Sequence, residues 1–253
     1  MYMYETNLTD AQWKIIKNFV PSNGRKRKHD LRDIFNAIFY MLKSGCQWRL
    51  LPNEFPKWQL VYYYFAKWRD TEIIEHINNM LREYVRMKMG KKPSPSAVIA
   101  DSQSVKTTRR GGIRGIDGNK KINGRKRHVI VDTLGFVLTV VVHAANIHDS
   151  KGVELVLRRL KESFAGLKVI FADGGYRGQL IEWANITFGY IIKIVMRTDN
   201  EPGFKVVHKR WIIERTFAWF ENQRRLSKDF EYLLETSEAM IHLASIKILL
   251  NKI

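Results

Sequence analysis

The spacing of apolar residues changes once along this chain of 253 residues, and that change restricts its architecture. Up to about residue 88, apolar side chains recur every three or four residues, which is the period of an amphipathic helix. Beyond residue 96 they gather in short runs rich in valine and isoleucine, which favour strands. The stretch between contains Gly90, Pro93 and Pro95, residue types that end helices. We predict an all-helical domain over residues 1–93 and an α/β domain over residues 94–253.

The net charge restricts the partners. Lys and Arg number 43 against 25 Asp and Glu, so the chain carries +18 and has a pI near 10.0. Such a balance indicates a polyanionic partner, either nucleic acid or an anionic membrane surface. No apolar stretch is long enough to span a bilayer, and the first residues do not resemble a secretion signal, so we favour nucleic acid. Cys46 is the single cysteine, which suits a reducing cytoplasm, where we expect the protein to act.

The first domain contains the pattern of a DNA-binding module. We predict helices over about residues 10–20, 31–44, 57–69 and 72–87. The second and third helices, with Gly45 after the second, suggest a helix-turn-helix. We expect the third helix to contact DNA, because Gln59, Tyr63 and Lys67 lie opposite its apolar face. A helical bundle with a solvated basic face is the alternative.

The second domain alternates strands and helices. Strands are predicted over residues 97–100, 127–131, 136–142, 168–172 and 190–196. Helices are predicted over about residues 150–164, 178–188, 208–226 and 237–251. The order is strand, hairpin, helix, strand, helix, strand and two helices, which is typical of an α/β domain with a mixed sheet.

Two aspartates occupy matching positions in the second domain. Asp101 follows the apolar run of residues 97–100, and Asp173 follows that of residues 168–172. We expect each to lie at the end of its strand, where open α/β sheets bind ligands. If the two strands are neighbours, the carboxylates converge, and a divalent cation would offset their repulsion.

A complete metal site calls for a third acid. Glu214 is the best placed, on a helix with Arg210 one turn before it. Glu221 lies two turns further along the same helix, and periodicity does not choose between the two. The remaining acids have structural interpretations. Asp132 is expected in a turn, Asp149 at a helix N-cap and Asp117 in solvent.

A basic, glycine-rich segment follows Asp101. Residues 106–127 contain nine basic residues and one acid, and we predict a mobile loop that binds phosphates, with a solvated charged loop as the alternative. His128, His143 and His148 lack metal-ligand spacing and are interpreted as structural or polar lining, with contact of His128 to DNA as the alternative. The residues expected to contact DNA are Lys57, Gln59, Tyr63, Lys67, Lys106, Arg109, Arg110, Lys120, Lys121, Arg125, Lys126, Arg127, Arg177, Arg210 and Arg215.

Five stretches carry a resemblance to a known family. They are GCQWRLLP (45–52), DSQSVKT (101–107), GRKRH (124–128), ADGGYRG (172–178) and RWIIERTFAW (210–219). With these, in this order over nearly the whole chain, the sequence resembles bacterial insertion-sequence transposases of the DDE class, specifically insertion-sequence family five.

The resemblance implies a ribonuclease-H-like catalytic domain that uses Mg²⁺ or Mn²⁺, with two ions expected. It implies that Asp101, Asp173 and Glu214 are the catalytic and metal-binding acids. The implied partners are double-stranded DNA, as terminal inverted repeats and target, and a second copy of the chain, with the protein on the nucleoid when bound. In the family's wider signature Arg210 and Glu214 fit, whereas Val207 replaces an aromatic residue and Glu221 replaces a lysine.

Two other functions are compatible with the sequence. A metal-dependent nuclease of the same fold would cut DNA without joining it. A DNA-binding regulator would occupy the inverted repeats without cutting them. Transposition, by end cleavage followed by strand transfer, is the function that we predict.

Overall fold

A computed structural model describes residues 4–21, 28–164, 166–195 and 209–253 of the chain. Four helices come first, α1 (Asp10–Ile16), α2 (Leu31–Ser44), α3 (Trp58–Asp70) and α4 (Ile73–Lys88). There follow β1 (Ala97–Lys106), β2 (Gly115–Asp117), β3 (Ile122–Asp132), β4 (Val137–Ala144), α5 (Asp149–Ser163), β5 (Val169–Ala172), α6 (Gln179–Phe188), β6 (Ile191–Ile194), α7 (Arg210–Glu221) and α8 (Leu234–Leu250). The predicted fold class, helices followed by a mixed-sheet α/β part, is confirmed. Val207 and the ends of two predicted elements, at residues 196 and 208, lie outside the described residues.

Local signals in the sequence explain several helix ends. Thr9 caps α1 through a capping box with Gln12, and the side chain of Asp30 caps α2 by accepting from the backbone of Arg32. Gly45 ends α2 in the left-handed conformation, with φ 73°.

The connections among the first helices differ from the prediction. Residues 45–57 join α2 to α3 and include a turn of 3-10 helix at Trp48–Leu50, so this connection is longer than the three or four residues of a helix-turn-helix. The short turn lies instead between α3 and α4, where Glu72 adopts the left-handed conformation. The helix-turn-helix mode of DNA binding stays a prediction.

One mixed sheet organises the second part of the chain. Its strands run in the order β2-β3-β1-β5-β6, and β4 also pairs with β3. β1 pairs antiparallel with β3 and parallel with β5, and β6 extends the sheet parallel to β5. β3 begins at Ile122, five residues earlier than predicted, and forms a hairpin with β2. Part of the segment predicted as a loop is therefore ordered sheet.

Apolar side chains cover both faces of the sheet. Val98 and Ala100 of β1 belong to the apolar cluster that includes α5 and α6, whereas Ile99 between them belongs to the cluster that includes α1–α4, α7 and α8. Helix α8 is buried nearly all round because it lies between α4 and β4. The boundary near residue 93 stays a prediction, and α8 joins the segments before and after it in one apolar cluster. No helix in the described ranges has both the length and the hydropathy that a membrane crossing requires.

Candidate active site

The register of the two parallel strands brings Asp101 and Asp173 together. The last pair between β1 and β5 joins Ala100 to Ala172, and the two aspartates are the next residue on each strand. Asp101 does not end its strand, as the sequence suggested, because β1 continues to Lys106 by antiparallel pairing with β3. The parallel pairing stops at this point, so both carboxylates still lie where β5 ends.

Backbone amides orient both carboxylates. The N–H of Ser102 donates to Asp101 Oδ1 at 2.7 Å. The N–H of Gly175 donates to Asp173 Oδ1 at 2.9 Å, with Asp173 capping the 3-10 turn at Gly174–Tyr176. Each aspartate therefore has one oxygen held in place by the chain that follows it.

The electrostatics of Asp101 show how close the charged groups are. Burial raises the pKa of Asp101 to about 6, and the charge of Asp173 acts in the same direction. The positive charges of Arg210 and Lys120 lower it and so lie near the same carboxyl. The repulsion between the two aspartates is what a divalent cation would relieve.

Glu214 lies on a neighbouring helix but does not join the two aspartates. Helix α7 packs against β1, and Glu214 Oε1 is 3.2 Å from Arg210 Nε. Both side chains of this ion pair are about a third or more exposed. Within the described ranges, no three His, Cys, Asp or Glu side chains are placed to hold a metal ion together. Arg210 pairs with Glu214, and its charge also lowers the pKa of Asp101.

The donors that do converge suit a hard cation. Mg²⁺ is commonly bound by one or two carboxylates, with phosphate oxygens of the substrate and water completing its octahedron. Asp101 and Asp173 supply two such carboxylates at one edge of the sheet. The pair therefore fits Mg²⁺ or Mn²⁺, the ions expected from the sequence.

Asp149 contacts Ser102, whose amide holds Asp101, and the sequence analysis missed this role. Its Oδ1 lies 2.9 Å from Lys126 Nζ and 3.7 Å from His128 Nε2, and it accepts a hydrogen bond from Ser102 Oγ at 3.1 Å. Its interpretation as a helix cap overlooked these contacts. A signal was present, because Asp149, like Asp173, stands between an apolar strand and a helix.

Two stacked histidines fill the space behind Asp149. The rings of His128 and His143 are 4.9 Å apart, and Tyr176 Oη lies 3.2 Å from His128 Nδ1. Burial lowers the pKa of His128 to about 3 and lowers that of His143 as well, so both rings are neutral. A Cβ added at Gly152 would lie 2.3 Å from His143 Nε2 and 2.5 Å from His128 Nε2. The interpretation of these two histidines as structural lining is confirmed.

Two other acids have buried structural roles. Asp117 is buried and accepts a hydrogen bond from Ser104 Oγ at 2.6 Å, so its predicted exposure to solvent is wrong. Asp132 lies in the predicted turn, accepts from the N–H of Leu134, and also pairs with the buried Arg86.

Three of the basic residues expected to contact DNA are buried, and that expectation is wrong for them. Arg125, Lys126 and Arg127 are each at most 5% exposed, because β3 is an inner strand covered on both faces. Arg125 donates to Asp229 and Arg127 to the carbonyl of Leu226, while Lys126 pairs with Asp149. These guanidinium and ammonium groups hold the sheet to the segments around it.

The other expected DNA contacts are at least partly accessible. Arg215 is half-buried between the rings of Trp211 and Trp219, with its Cζ 4.6 Å from each ring centroid, and donates to the carbonyl of Leu134. It therefore has a structural role, whereas Arg210 is half-buried beside Asp101. The exposed residues are Lys57, Gln59, Tyr63, Lys67, Lys106, Arg109, Arg110, Lys120, Lys121 and Arg177.

Comparison with known families decides the classification. A family model described as "Transposase DDE domain" matches residues 92–250, more than half of the chain. The chain belongs to the transposase DDE domain family. A second model, described as "Putative transposase of IS4/5 family", matches residues 8–78. The resemblance stated from the sequence is confirmed, and with it the ribonuclease-H-like fold class.

Two curated proteins are similar to parts of this DDE family member. "Putative transposase for insertion sequence element IS402" from Burkholderia cepacia is 29% identical over 128 residues, which cover 47% of this chain and 60% of that protein. "Uncharacterized protein y4sN" from Sinorhizobium fredii (strain NBRC 101917 / NGR234) is 30% identical over 74 residues, covering 28% and 58%. The chain therefore spans about 60% of the length of these relatives.

Proposed function

We propose that the protein is a DNA transposase that binds the terminal inverted repeats of an insertion sequence, cleaves the element ends and transfers them to target DNA. The observation that carries this proposal is the pairing of Ala100 with Ala172, which places Asp101 beside Asp173 in a chain of the DDE domain family. The net charge of +18 supports a polyanionic substrate.

The residues around the two aspartates suit phosphoryl transfer. Bound at Asp101 and Asp173, Mg²⁺ or Mn²⁺, proposed as two ions, supplies Lewis acidity and lowers the pKa of a bound water. The backbone amides of Ser102 and Gly175 keep the two carboxylates in position for that role. We propose that Lys120, whose charge lowers the pKa of Asp101, binds a phosphate oxygen of the cleaved strand.

We propose Glu214 as the third acid of the site when DNA is bound. Its partner Arg210 lies near Asp101, where the scissile phosphate would compete for the guanidinium. A half-exposed ion pair of this kind contributes roughly 0–1 kcal/mol, so exchanging its partner costs little. Once Arg210 contacts a phosphate, the carboxylate of Glu214 is free to turn toward the aspartates.

The proposed partners follow from the exposed cations and from the reaction. We propose that exposed cations contact phosphates of the inverted repeats or target, namely Lys57 and Lys67 on the helical segment and Lys106, Arg109 and Arg177 on the α/β part. Bringing two element ends together requires at least two catalytic chains, so we propose a homodimer in the DNA complex.

Charge-removing variants test the catalytic assignment. With Mg²⁺ and a duplex carrying the neighbouring inverted repeat, Asp101→Asn and Asp173→Asn should each lower the nicking rate by about 10³-fold or more, since charge stabilisation by the metal contributes several kcal/mol. Glu214→Gln should do the same, whereas Glu221→Gln, two turns along α7, should cut normally. Wild-type nicking rates in the aspartate variants would refute the proposed site.

A second assay separates transposition from the other two functions. A pre-nicked inverted-repeat end is mixed with target DNA, and joined product is measured. Cleavage without joining would indicate a nuclease. Binding to the repeats with no cleavage under any divalent metal would indicate a regulator.

A further inference from the structure

The motif at residues 45–52 helps to form a cavity away from the aspartates. The cavity has a volume of about 400 Å³, within the range of small-ligand sites. The 45–52 segment, the first two turns of α3 and the segment between α7 and α8 line it. Five aromatic side chains contribute, Trp48, Trp58, Tyr62, Phe230 and Tyr232.

Several of these rings are exposed at the cavity and partly fixed in position. Tyr232 is 71% exposed, Phe230 42% and Tyr62 39%. The ring of Trp48 meets that of Tyr62 edge to face, with centroids 5.3 Å apart. Exposed aromatic surface gathered around a concavity marks a binding site, because leaving it in water is unfavourable.

One exposed cation accompanies the rings. The guanidinium of Arg49 lies 5.4 Å from the ring centroid of Trp58, and this side chain is exposed. Arg225, the other arginine of the lining, is buried and pairs with Glu231 at 2.7 Å. The cavity therefore offers aromatic faces together with Arg49 as an accessible positive charge.

The cavity adjoins the surface proposed to bind DNA. The N–H of Asp229, one residue before Phe230, donates to the carbonyl of Lys106 at the end of β1. Lys106 is five residues from Asp101, about 17 Å along an extended strand. Arg125 donates to the carbonyl of Tyr232, so the basic β2–β3 segment also reaches this place.

We infer that this cavity binds an unpaired nucleotide of the DNA strand that passes the active site. Aromatic side chains stack on bases of any sequence, and an arginine beside them binds the adjoining phosphate. A base within a duplex is already stacked, so only an unpaired or extruded base presents its faces to the rings of Tyr62, Phe230 and Tyr232. β1 alone covers about 17 Å between Asp101 and Lys106, so at about 3.4 Å per nucleotide we expect this base five or more positions from the scissile phosphate.

Fluorescence of an extrahelical base tests the inference, which rests on the proposed function. The probe is a duplex with one bulged 2-aminopurine, and the same duplex without the bulge is the reference. The 253-residue protein should bind the bulged duplex about tenfold more tightly, as one stacked base contributes. It should also quench the 2-aminopurine. Moving the bulge along an inverted-repeat end should give the strongest quenching at one position, five or more nucleotides from the cleavage position.

Two variants should remove this preference while matched-duplex binding persists. They are Tyr232→Ala, at an exposed ring, and Arg49→Gln, at the exposed guanidinium. The matched controls are Tyr84→Ala, an exposed tyrosine of α4, and Arg158→Gln, whose guanidinium lies 5.6 Å from the Trp183 ring outside the cavity. Both controls should keep the preference.

The outcomes distinguish this inference from the proposed function. Equal affinity of the wild type for bulged and matched duplex would overturn the inference and leave the proposed function intact. A preference retained in both cavity variants would also overturn it. No binding to either DNA would count against the proposed function itself. A change in sedimentation of the cavity variants, with the base preference unchanged, would assign the cavity to contact between copies of the chain and overturn the inference.

Discussion

Replacing Asp149 by asparagine should weaken the candidate active site without changing either of the aspartates proposed to be catalytic. The asparagine oxygen can still accept from Ser102 Oγ, but it removes the charge that faces Lys126 Nζ at 2.9 Å. Lys126 keeps Asp117 as a more distant partner, at 3.8 Å. The variant therefore removes the charge of Asp149 while keeping the size and shape of the side chain.

The structure sets the size of the effect. A hydrogen bond to a charged group contributes about 1.5–3 kcal/mol, and Asp117 partly compensates, so we expect a loss of about 1.5 kcal/mol. For a chain of this length that corresponds to a fall in Tm of about 3–6 °C. Ser102 Oγ keeps an acceptor in the variant, but a neutral one, which makes a weaker hydrogen bond. Because the amide of Ser102 holds Asp101, we expect Mn²⁺ binding to weaken about 10-fold, the lower end of the range for losing a support of a ligand.

Two measurements check the prediction. Urea unfolding gives the stability, and electron paramagnetic resonance of free Mn²⁺ gives the dissociation constant. Asp10→Asn is the control, because it breaks an ion pair with Arg32 in which the aspartate side chain is 94% exposed, and both quantities should stay close to wild type. If Mn²⁺ affinity stays within twofold of wild type while stability falls, Asp149 is structural and our reasoning about positioning is wrong.

Three further predictions follow from burial and charge. Burial, followed by the charges of Arg159 and Arg82, lowers the pKa of His242 to about 3, below the unfolded value near 6.5, so the unfolded chain binds the extra proton. The contribution of His242 to stability is therefore full above pH 6.5 and falls as pH drops toward 3. Between pH 7 and pH 5, the free energy of unfolding in urea should fall by about 2 kcal/mol less in His242→Leu than in the wild type. An equal fall in the two proteins would contradict the assignment. Gly152→Ala should lower the free energy of unfolding by about 1–3 kcal/mol, because the added methyl group would displace the rings of His128 and His143. Gly118→Ala is the control, since a Cβ there meets nothing within 4 Å. Equal melting temperatures for the two variants would contradict the prediction. The double variant Lys120→Ala/Lys121→Ala should release about two fewer counterions on binding DNA, measured by fluorescence anisotropy between about 50 and 200 mM salt. Arg127→Ala should instead lower the stability of the protein, because its side chain is buried on the carbonyl of Leu226. An unchanged salt slope in the double variant would show that the two lysines do not contact DNA.

Local patterns in the sequence were enough for most of the helices and strands, though not for β2 or the full length of β1 and β3, and for two of the proposed acids. The helical period of residues 31–44 matches α2, and Gly45 ends that helix as predicted. The apolar runs before Asp101 and Asp173 form part of β1 and all of β5, because continuous apolar runs suit a sheet covered on both faces. These patterns predict well because the helical period, the terminal glycine and the apolar runs each lie within a few residues of the helix or strand that they specify.

The register of β1 against β5, and with it the closeness of the two aspartates, was decided by the tertiary structure. The same holds for the burial of Arg125 and Arg127, whose basic side chains suggested DNA contact. Their partners, Asp229 and the carbonyl of Leu226, lie about a hundred positions later in the chain. The sequence shows that a residue is charged, but which group pairs with it depends on which distant segments pack together. For that reason the sequence alone predicted the catalytic chemistry, whereas only the fold separated the cations that face solvent from those that hold the sheet in place.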